Sequence, residues 1–175
     1  MINEAYLLLG SNLGDRQDYL LRARRALSCL AGNMLRASHL FETEAWGDTP
    51  DKQEYLNQAI LLTTTHSPAS LIRQTLRIEG SLGRQRGDNQ YAARTIDIDI
   101  IFFNHMMLNT NSLVLPHPRM QLRRFVLEPL NEIAPDFVHP VFKQKVATLL
   151  SECDDCLAVK KLGAVDAEIG RTRTF

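Results

Sequence analysis

The chain has few of the features that mark secreted, membrane-spanning or nucleic-acid-coating proteins. It has three cysteines in 175 residues, an odd number in a chain that needs no disulfides to fold. No apolar run approaches the ~20 residues that span a bilayer, and residues 1–4 (MINE) do not resemble the start of a signal peptide. The 20 Lys and Arg residues balance 20 Asp and Glu, which argues against a protein built to coat nucleic acid. We therefore expect a reduced, cytoplasmic protein without membrane or nucleic-acid partners.

Common nucleotide and zinc motifs are missing as well. The sequence contains neither GxxxxGK[ST] nor GxGxxG, and residues 10–15 (GSNLGD) fit neither pattern. Cys153 and Cys156 have the spacing of half a zinc ribbon, but no second CxxC or suitable histidine pair completes four ligands. If a nucleotide binds, it therefore binds through arginines and a metal rather than through a glycine-rich cradle.

The most informative segment present is residues 96–103 (IDIDIIFF), which places two carboxylates inside an apolar run. Its isoleucines favour an extended strand, in which Asp97 and Asp99 lie on the same face. Carboxylates in apolar surroundings need a compensating cation, and Mg²⁺ is a usual partner of carboxylate oxygens together with substrate phosphates. The alternative is an exposed edge strand whose carboxylates keep the protein soluble, although the flanking residues are very hydrophobic for that.

Basic residues near this segment suit an anion. Arg84, Arg86 and Arg94 precede the strand, where they fit a phosphate ligand or are ordinary surface charges of a loop. His117 lies between Pro116 and Pro118, whose stiff backbone suits a positioned donor to a phosphate oxygen. A structural or solvated histidine is the alternative, so both interpretations stay open at this point.

Hydrophobic patterning predicts an α+β fold in one domain. Strands are expected at 5–9, 34–43, 55–65 and in the aspartate segment, and helices after the N-caps Asp15 and Ser67. The order is that of a ferredoxin-like antiparallel sheet, βαββαβ. Further helices around 124–133 and 144–153 could cover the second face of the sheet and give a three-layer α/β/α sandwich. We expect a domain over residues 1–160 and a loosely held tail over 161–175.

A flat heterocycle could bind beside the long loop at 45–51. Trp46 and Tyr55 offer rings for stacking, and Asn57 offers an amide for hydrogen bonds. Packing of Tyr55 in the core is an equal alternative. For Glu79, on the second helix, the alternative to a role in a site is an ordinary exposed helical glutamate.

Together these motifs resemble a known family over most of the chain. They are residues 9–15 (LGSNLGD), 55–57 (YLN), 83–86 (GRQR), 94–100 (RTIDIDI), 116–119 (PHPR) and 123–130 (RRFVLEPL). In this order they are similar to the 6-hydroxymethyl-7,8-dihydropterin pyrophosphokinases of folate biosynthesis. The resemblance implies transfer of pyrophosphate from ATP to the hydroxymethyl group of the pterin, with release of AMP, by a monomeric enzyme.

The resemblance also implies site residues. Asp97 and Asp99 would hold two Mg²⁺ ions that bridge the ATP phosphates, and Arg84 and Arg94 would contact those phosphates during the reaction. The residues implied for the nucleotide are Glu79, His117 and Arg123. The residues implied for the pterin are Thr43, Ala45, Tyr55, Asn57 and Phe125.

The chain departs from the family pattern in two loops. Tyr91 and Ala93 stand where members often carry Trp and Pro, and Glu44 and Ala45 replace common prolines. A missing proline is expected to loosen a loop that closes over the substrates. Two rival functions remain at this stage: a ferredoxin-like module that binds a nucleotide or RNA through the same arginines, and a metal-dependent phosphoesterase.

Overall fold

A computed structural model of the chain describes residues 1–45, 53–84 and 94–163. The strands are β1 (Asn3–Ser11), β2 (Asn33–Ala37), β3 (Phe41–Thr43), β4 (Tyr55–Thr64), β5 (Asp97–Phe103), β6 (Leu108–Asn109), β7 (Val114–Leu115) and β8 (Val159–Lys161). The helices are α1 (Arg16–Leu30), α2 (Pro68–Ser81), α3 (Arg124–Ile133) and α4 (Val146–Ser151), with a 3₁₀ turn at Met120–Leu122.

The main sheet is antiparallel in every described pairing and runs β5-β1-β4-β3-β8, with β2 also paired to β4. The predicted α+β class is confirmed. The expected strand at 34–43 is divided into β2 and β3, because buried Ser38 interrupts the regular pairing. Its hydroxyl accepts a hydrogen bond from the Ala59 amide (3.0 Å), and its carbonyl accepts one from the Gln58 side chain (2.7 Å). β8 was not predicted.

The helix starts follow the sequence signals. Asp15 caps α1 by accepting a hydrogen bond from the Asp18 amide (3.0 Å), and Ser67 caps α2 by accepting one from the Ser70 amide (3.3 Å). Pro68 occupies the first turn of α2, where its missing amide hydrogen costs nothing. The third helix has the predicted range, whereas α4 is shorter than the expected 144–153.

Two apolar cores lie on opposite faces of the sheet because strand side chains alternate. Leu7 and Leu9 of β1 pack with α1 and α2, whereas Tyr6 and Leu8 pack with α3 and α4. On β5, Ile98 belongs to the first core. The aspartates beside it therefore lie on the face that α3 covers.

No helix within 1–45, 53–84 and 94–163 is long and apolar enough to cross a bilayer. The division between a domain at 1–160 and a tail at 161–175 stays a prediction, because residues 164–175 lie outside the described ranges.

Candidate functional site

Asp97 and Asp99 lie on one face of β5, as the alternation in sequence predicts. Both are partly exposed, whereas Ile98 and Ile100 between and beside them are buried on the other face. Gly10 of β1 pairs directly with Asp97 in the antiparallel register. The two carboxylates therefore lie on the α3 side of the sheet, at the edge of the apolar core on that side.

Two arginines converge on Asp97. The Arg84 guanidinium pairs with one carboxylate oxygen and the Arg94 guanidinium with the other. Arg84 follows Gly83, whose φ of 84° ends α2 in a conformation that favours glycine. Burial raises the pKa of Asp97, but Arg84 and Arg94 outweigh burial and hold that pKa below its ordinary value. Asp97 is therefore an ionised anion between two cations.

Glu79 is buried, which excludes the alternative of an ordinary exposed helical glutamate. Its carboxylate accepts a hydrogen bond from the Ile98 amide (2.8 Å) and pairs with Arg84 (2.6 Å). The residue thus satisfies a backbone donor on the outer edge of β5 and anchors Arg84 at the same time. The resemblance implied a role for Glu79 in the nucleotide site, but these contacts have no local signal in the sequence, because the Ile98 amide lies on a distant strand.

Asp99 differs from Asp97 in its protonation. Burial, followed by the negative charges of Asp97 and Glu79, raises the pKa of Asp99 to about 7, although Arg123 and Arg84 oppose the shift. A bound cation would favour the ionised form, so the donor set of two same-face carboxylates fits a magnesium site completed by phosphate oxygens. In the described part of the chain, no three His, Cys, Asp or Glu side chains gather to hold a metal by themselves.

The residues expected to bind the pterin lie on the same face of the sheet, beside Gly10. Asn57 pairs with Gly10 across β1 and β4, and its side-chain amide donates to the Thr43 hydroxyl (2.8 Å). Tyr55 is partly exposed and lies beside Arg94, which also hydrogen-bonds to it; burial raises the pKa of Tyr55, and Arg94 opposes that shift. The pterin-side residues thus adjoin the charged cluster directly.

Replacing Gly10 with Ala is expected to disturb this junction. A Cβ at Gly10 would lie 2.9 Å from Oδ1 of Asn57, so the amide must move and strain its bond to Thr43. We expect a loss of about 1–2 kcal/mol in the free energy of unfolding and weaker pterin binding. Urea denaturation and pterin titration measure both. Gly80→Ala is the matched control: with nothing near its Cβ, this helical site should be neutral or stabilised. A neutral Gly10→Ala would contradict the close packing.

Arg123 and Phe125 lie at the start of α3, and His117 lies in the loop that precedes it. The His117 amide donates to the Ile101 carbonyl of β5 (2.9 Å). Burial, with the charges of Arg123 and Arg119, lowers the pKa of His117 to about 4, so the ring is neutral at pH 7. The Arg123 guanidinium lies over the Phe125 ring at 5.6 Å.

Some predicted residues are not joined to this cluster, and one contributor was missed. Ala45 follows β3 and is partly buried, and Trp46, Arg86, Tyr91 and Ala93 lie outside the described ranges. Asn12 was missed, although it lies in the LGSNLGD motif: its side chain accepts from the Arg94 amide (2.8 Å) and its amide donates to the Arg94 carbonyl (3.2 Å). This pair of bonds fixes the backbone that carries Arg94.

Comparison with known proteins identifies similar sequences. A family profile described as 7,8-dihydro-6-hydroxymethylpterin-pyrophosphokinase matches residues 6–135. The 2-amino-4-hydroxy-6-hydroxymethyldihydropteridine pyrophosphokinase of Bacillus subtilis is 42% identical over 76% of this chain and 79% of its own length. The protein of the same name from Synechocystis sp. is 38% identical over 86% of this chain and 76% of its own length.

Solved structures share the fold. A crystal structure of an HPPK-DHPS variant of Plasmodium falciparum has a TM-score of 0.72 and 16% identity, covering 87% of this chain. The wild-type protein has a TM-score of 0.68 at 16% identity. The region that matches this chain is 45% of the length of each of those two Plasmodium chains.

Proposed function

Because this chain belongs to the 7,8-dihydro-6-hydroxymethylpterin-pyrophosphokinase family, we propose that Arg84, Arg94, Asp97 and Asp99 form the centre at which it takes pyrophosphate from ATP. The family and its relatives give the activity: pyrophosphoryl transfer to hydroxymethyldihydropterin in folate biosynthesis. ATP as the donor, AMP as the second product and the two Mg²⁺ ions are our proposal. The hydroxymethyl oxygen of the pterin is the attacking group.

This proposal rests on one observation: the guanidinium groups of Arg84 and Arg94 both pair with the Asp97 carboxylate. A second carboxylate, that of Asp99, lies two residues further along the same strand. Without substrate, Arg84 and Arg94 neutralise Asp97. A polyphosphate offers both arginines stronger bidentate partners, and Asp97 then becomes available to a cation. The cluster therefore suits a ligand that brings phosphates and magnesium together.

Asp97 and Asp99 would hold the magnesium ions, which when bound neutralise phosphate charge and help to align the transferred group. The protein residues supply the remaining positioning. Arg84 and Arg94 bind phosphate oxygens and favour the charge that develops on them, which is the main protein contribution to phosphoryl transfer. Glu79 contributes to the nucleotide site by holding Arg84 in place.

The pterin would lie between the sheet and the start of α3. Asn57 would bind the polar edge of the ring, with Thr43 fixing its amide and Ala45 lining the entrance. Tyr55 and Phe125 would flank the ring, and both are partly exposed on this face. His117 and Arg123 would contact the triphosphate, with neutral His117 acting as a hydrogen-bond donor.

We also propose a more specific fold, an oligomeric state and a cellular location for the protein. We interpret the sheet order, with β1 between β5 and β4, as a ferredoxin-like core with its second strand divided. The helices on its two faces correspond to an α/β/α sandwich. We propose that the protein is a monomer and that it acts in the cytoplasm. The free thiols of Cys29, Cys153 and Cys156 support the location.

One assay tests the proposed reaction against its rivals. The protein is incubated with ATP, Mg²⁺ and 6-hydroxymethyl-7,8-dihydropterin, and the nucleotide products are separated. We expect AMP that forms only when both the pterin and Mg²⁺ are present. ADP or free phosphate without pterin would instead indicate a phosphoesterase, and binding without turnover would leave a nucleotide- or RNA-binding module.

A further inference from the structure

The segment from Cys153 to Leu162 contacts both β3 and α3, although it lies beyond the range 6–135 that the family profile matches. On one side, β8 pairs with β3 in a register that sets Val159 opposite Thr43. The other edge of β3 pairs with β4, where Thr43 lies opposite Tyr55. The strand that carries Thr43 is thus held between β4 and β8.

On the other side, the same segment caps α3. The Asp155 carboxylate accepts from the Arg124 amide through Oδ2 (2.9 Å) and from the Leu157 amide through Oδ1 (3.2 Å). Arg124 is the first residue of α3, and the first amides of a helix have no partner within the helix. The N-cap residue, Arg123, has only donors in its side chain, so a capping oxygen must come from elsewhere.

The capped turn carries two of the proposed site residues. Arg123 and Phe125 flank Arg124, and the Arg123 guanidinium lies over the Phe125 ring at 5.6 Å. The Arg123 charge acts on two groups of the centre: it opposes the rise in the pKa of Asp99, and after burial it contributes to the low pKa of His117.

The far end of α3 is tied to the same segment. Glu132 pairs with Lys161 of β8 (3.2 Å), and its other oxygen accepts from the His39 amide (3.1 Å). The segment from Cys153 to Leu162 therefore contacts α3 near both of its ends, through Asp155 at the start and through Lys161 near the end.

We propose that Asp155 is a positioning residue of the site: by capping α3 it holds Arg123 and Phe125 where the nucleotide and the pterin bind. This inference rests on the proposed function. It assigns a role to a segment for which the sequence offered none, and it predicts an effect on substrate binding rather than on the transfer step.

The test compares Asp155→Ala, Asp155→Asn and the adjacent control Asp154→Ala, whose side chain is exposed. We expect Asp155→Ala to raise KM for ATP, for the pterin, or for both by about fivefold, with kcat within about twofold of wild type. Asp155→Asn keeps one oxygen that can accept from the Arg124 amide, so it should restore most of the affinity. Asp154→Ala should behave as wild type.

Hydrogen exchange at the Arg124 and Leu157 amides, the two donors to the Asp155 carboxylate, provides a readout that is independent of activity. Both should exchange faster in Asp155→Ala than in wild type or Asp154→Ala. Unchanged exchange overturns the cap, and faster exchange with unchanged KM overturns the positioning role. A lower kcat at unchanged KM would indicate only a loss of folded enzyme and would also overturn it. If Asp155→Ala does not fold, the same measurements on Asp155→Asn and Asp155→Ser decide the question.

The two failures can be told apart. If wild type forms no pterin-dependent AMP, the proposed function fails, and with it the role of Asp155 in binding, whereas the exchange result still decides whether Asp155 caps α3. If wild type is active and Asp155→Ala has wild-type KM values, the inference alone fails.

Discussion

Asp97→Asn is expected to lower kcat/KM for pyrophosphoryl transfer by about 10³-fold or more while the chain stays folded. The substitution keeps the size of the side chain but removes the charge that holds Arg84 and Arg94 together. A neutral amide is also a poor ligand for Mg²⁺. The loss should appear in kcat as well as KM, because the arginines and metal act on charge that develops during transfer. Product AMP, measured over a range of Mg²⁺ concentrations, gives both parameters.

Asp136→Asn is the control for a general effect of removing a carboxylate. Asp136 pairs with Lys145 at 2.8 Å, and its side chain is 83% exposed. An exposed pair of this kind contributes little, so activity and melting temperature should stay close to wild type. Circular dichroism of Asp97→Asn establishes that it is folded. If the folded variant turned over as fast as wild type, Asp97 would not be a metal ligand, and the proposed catalytic centre would be contradicted.

The sequence predicted those features that depend on local signals. The caps Asp15 and Ser67, the range of α3 and the alternation in β5 each follow from neighbouring residues, so they appear in the structure nearly as predicted. The convergence of Arg84 and Arg94 on Asp97 is also consistent with the phosphate interpretation, although Arg84 lies 13 residues from Asp97.

Features that depend on distant partners could not be predicted. β8 has only three residues and no apolar alternation, and it forms because β3 offers an edge. Ser38 divides the second strand through hydrogen bonds to β4. Glu79 is buried because it satisfies the Ile98 amide. Asn12 and Asp155 bind backbone amides far away in sequence, and residue type alone does not show which amide a polar side chain will find.

Asp99→Asn is expected to abolish most activity and yet stabilise the metal-free protein at alkaline pH. The pKa of Asp99 is about 7 in the folded chain, well above its ordinary value near 3.8. At pH 8 the Asp99 carboxylate is therefore ionised in both states. Its charge is hydrated in the unfolded chain but is unfavourable in the folded chain, which lowers the free energy of unfolding. This penalty is absent below the unfolded pKa, grows as the pH rises towards 7 and is constant above it. Because Asp99 is partly exposed, we expect a gain of about 2 kcal/mol from the substitution at pH 8.

The measurement is urea denaturation of both proteins in EDTA at pH 4.5 and pH 8. The variant should be clearly more stable than wild type at pH 8. The difference should shrink at pH 4.5, because that pH lies far below the folded pKa of Asp99 and only slightly above its ordinary value near 3.8, so little of the penalty is left. Asp136→Asn, which removes a carboxylate from an exposed ion pair, is the control and should change the stability little at either pH. A variant that is less stable than wild type at pH 8 would mean that Asp99 makes a stabilising ion pair. Repulsion among Asp97, Asp99 and Glu79 would then not destabilise the metal-free protein, and a bound cation would have no such repulsion to relieve. A stabilised but inactive variant would instead link that repulsion to function, because the charge that weakens the metal-free fold is the one needed to hold the cation.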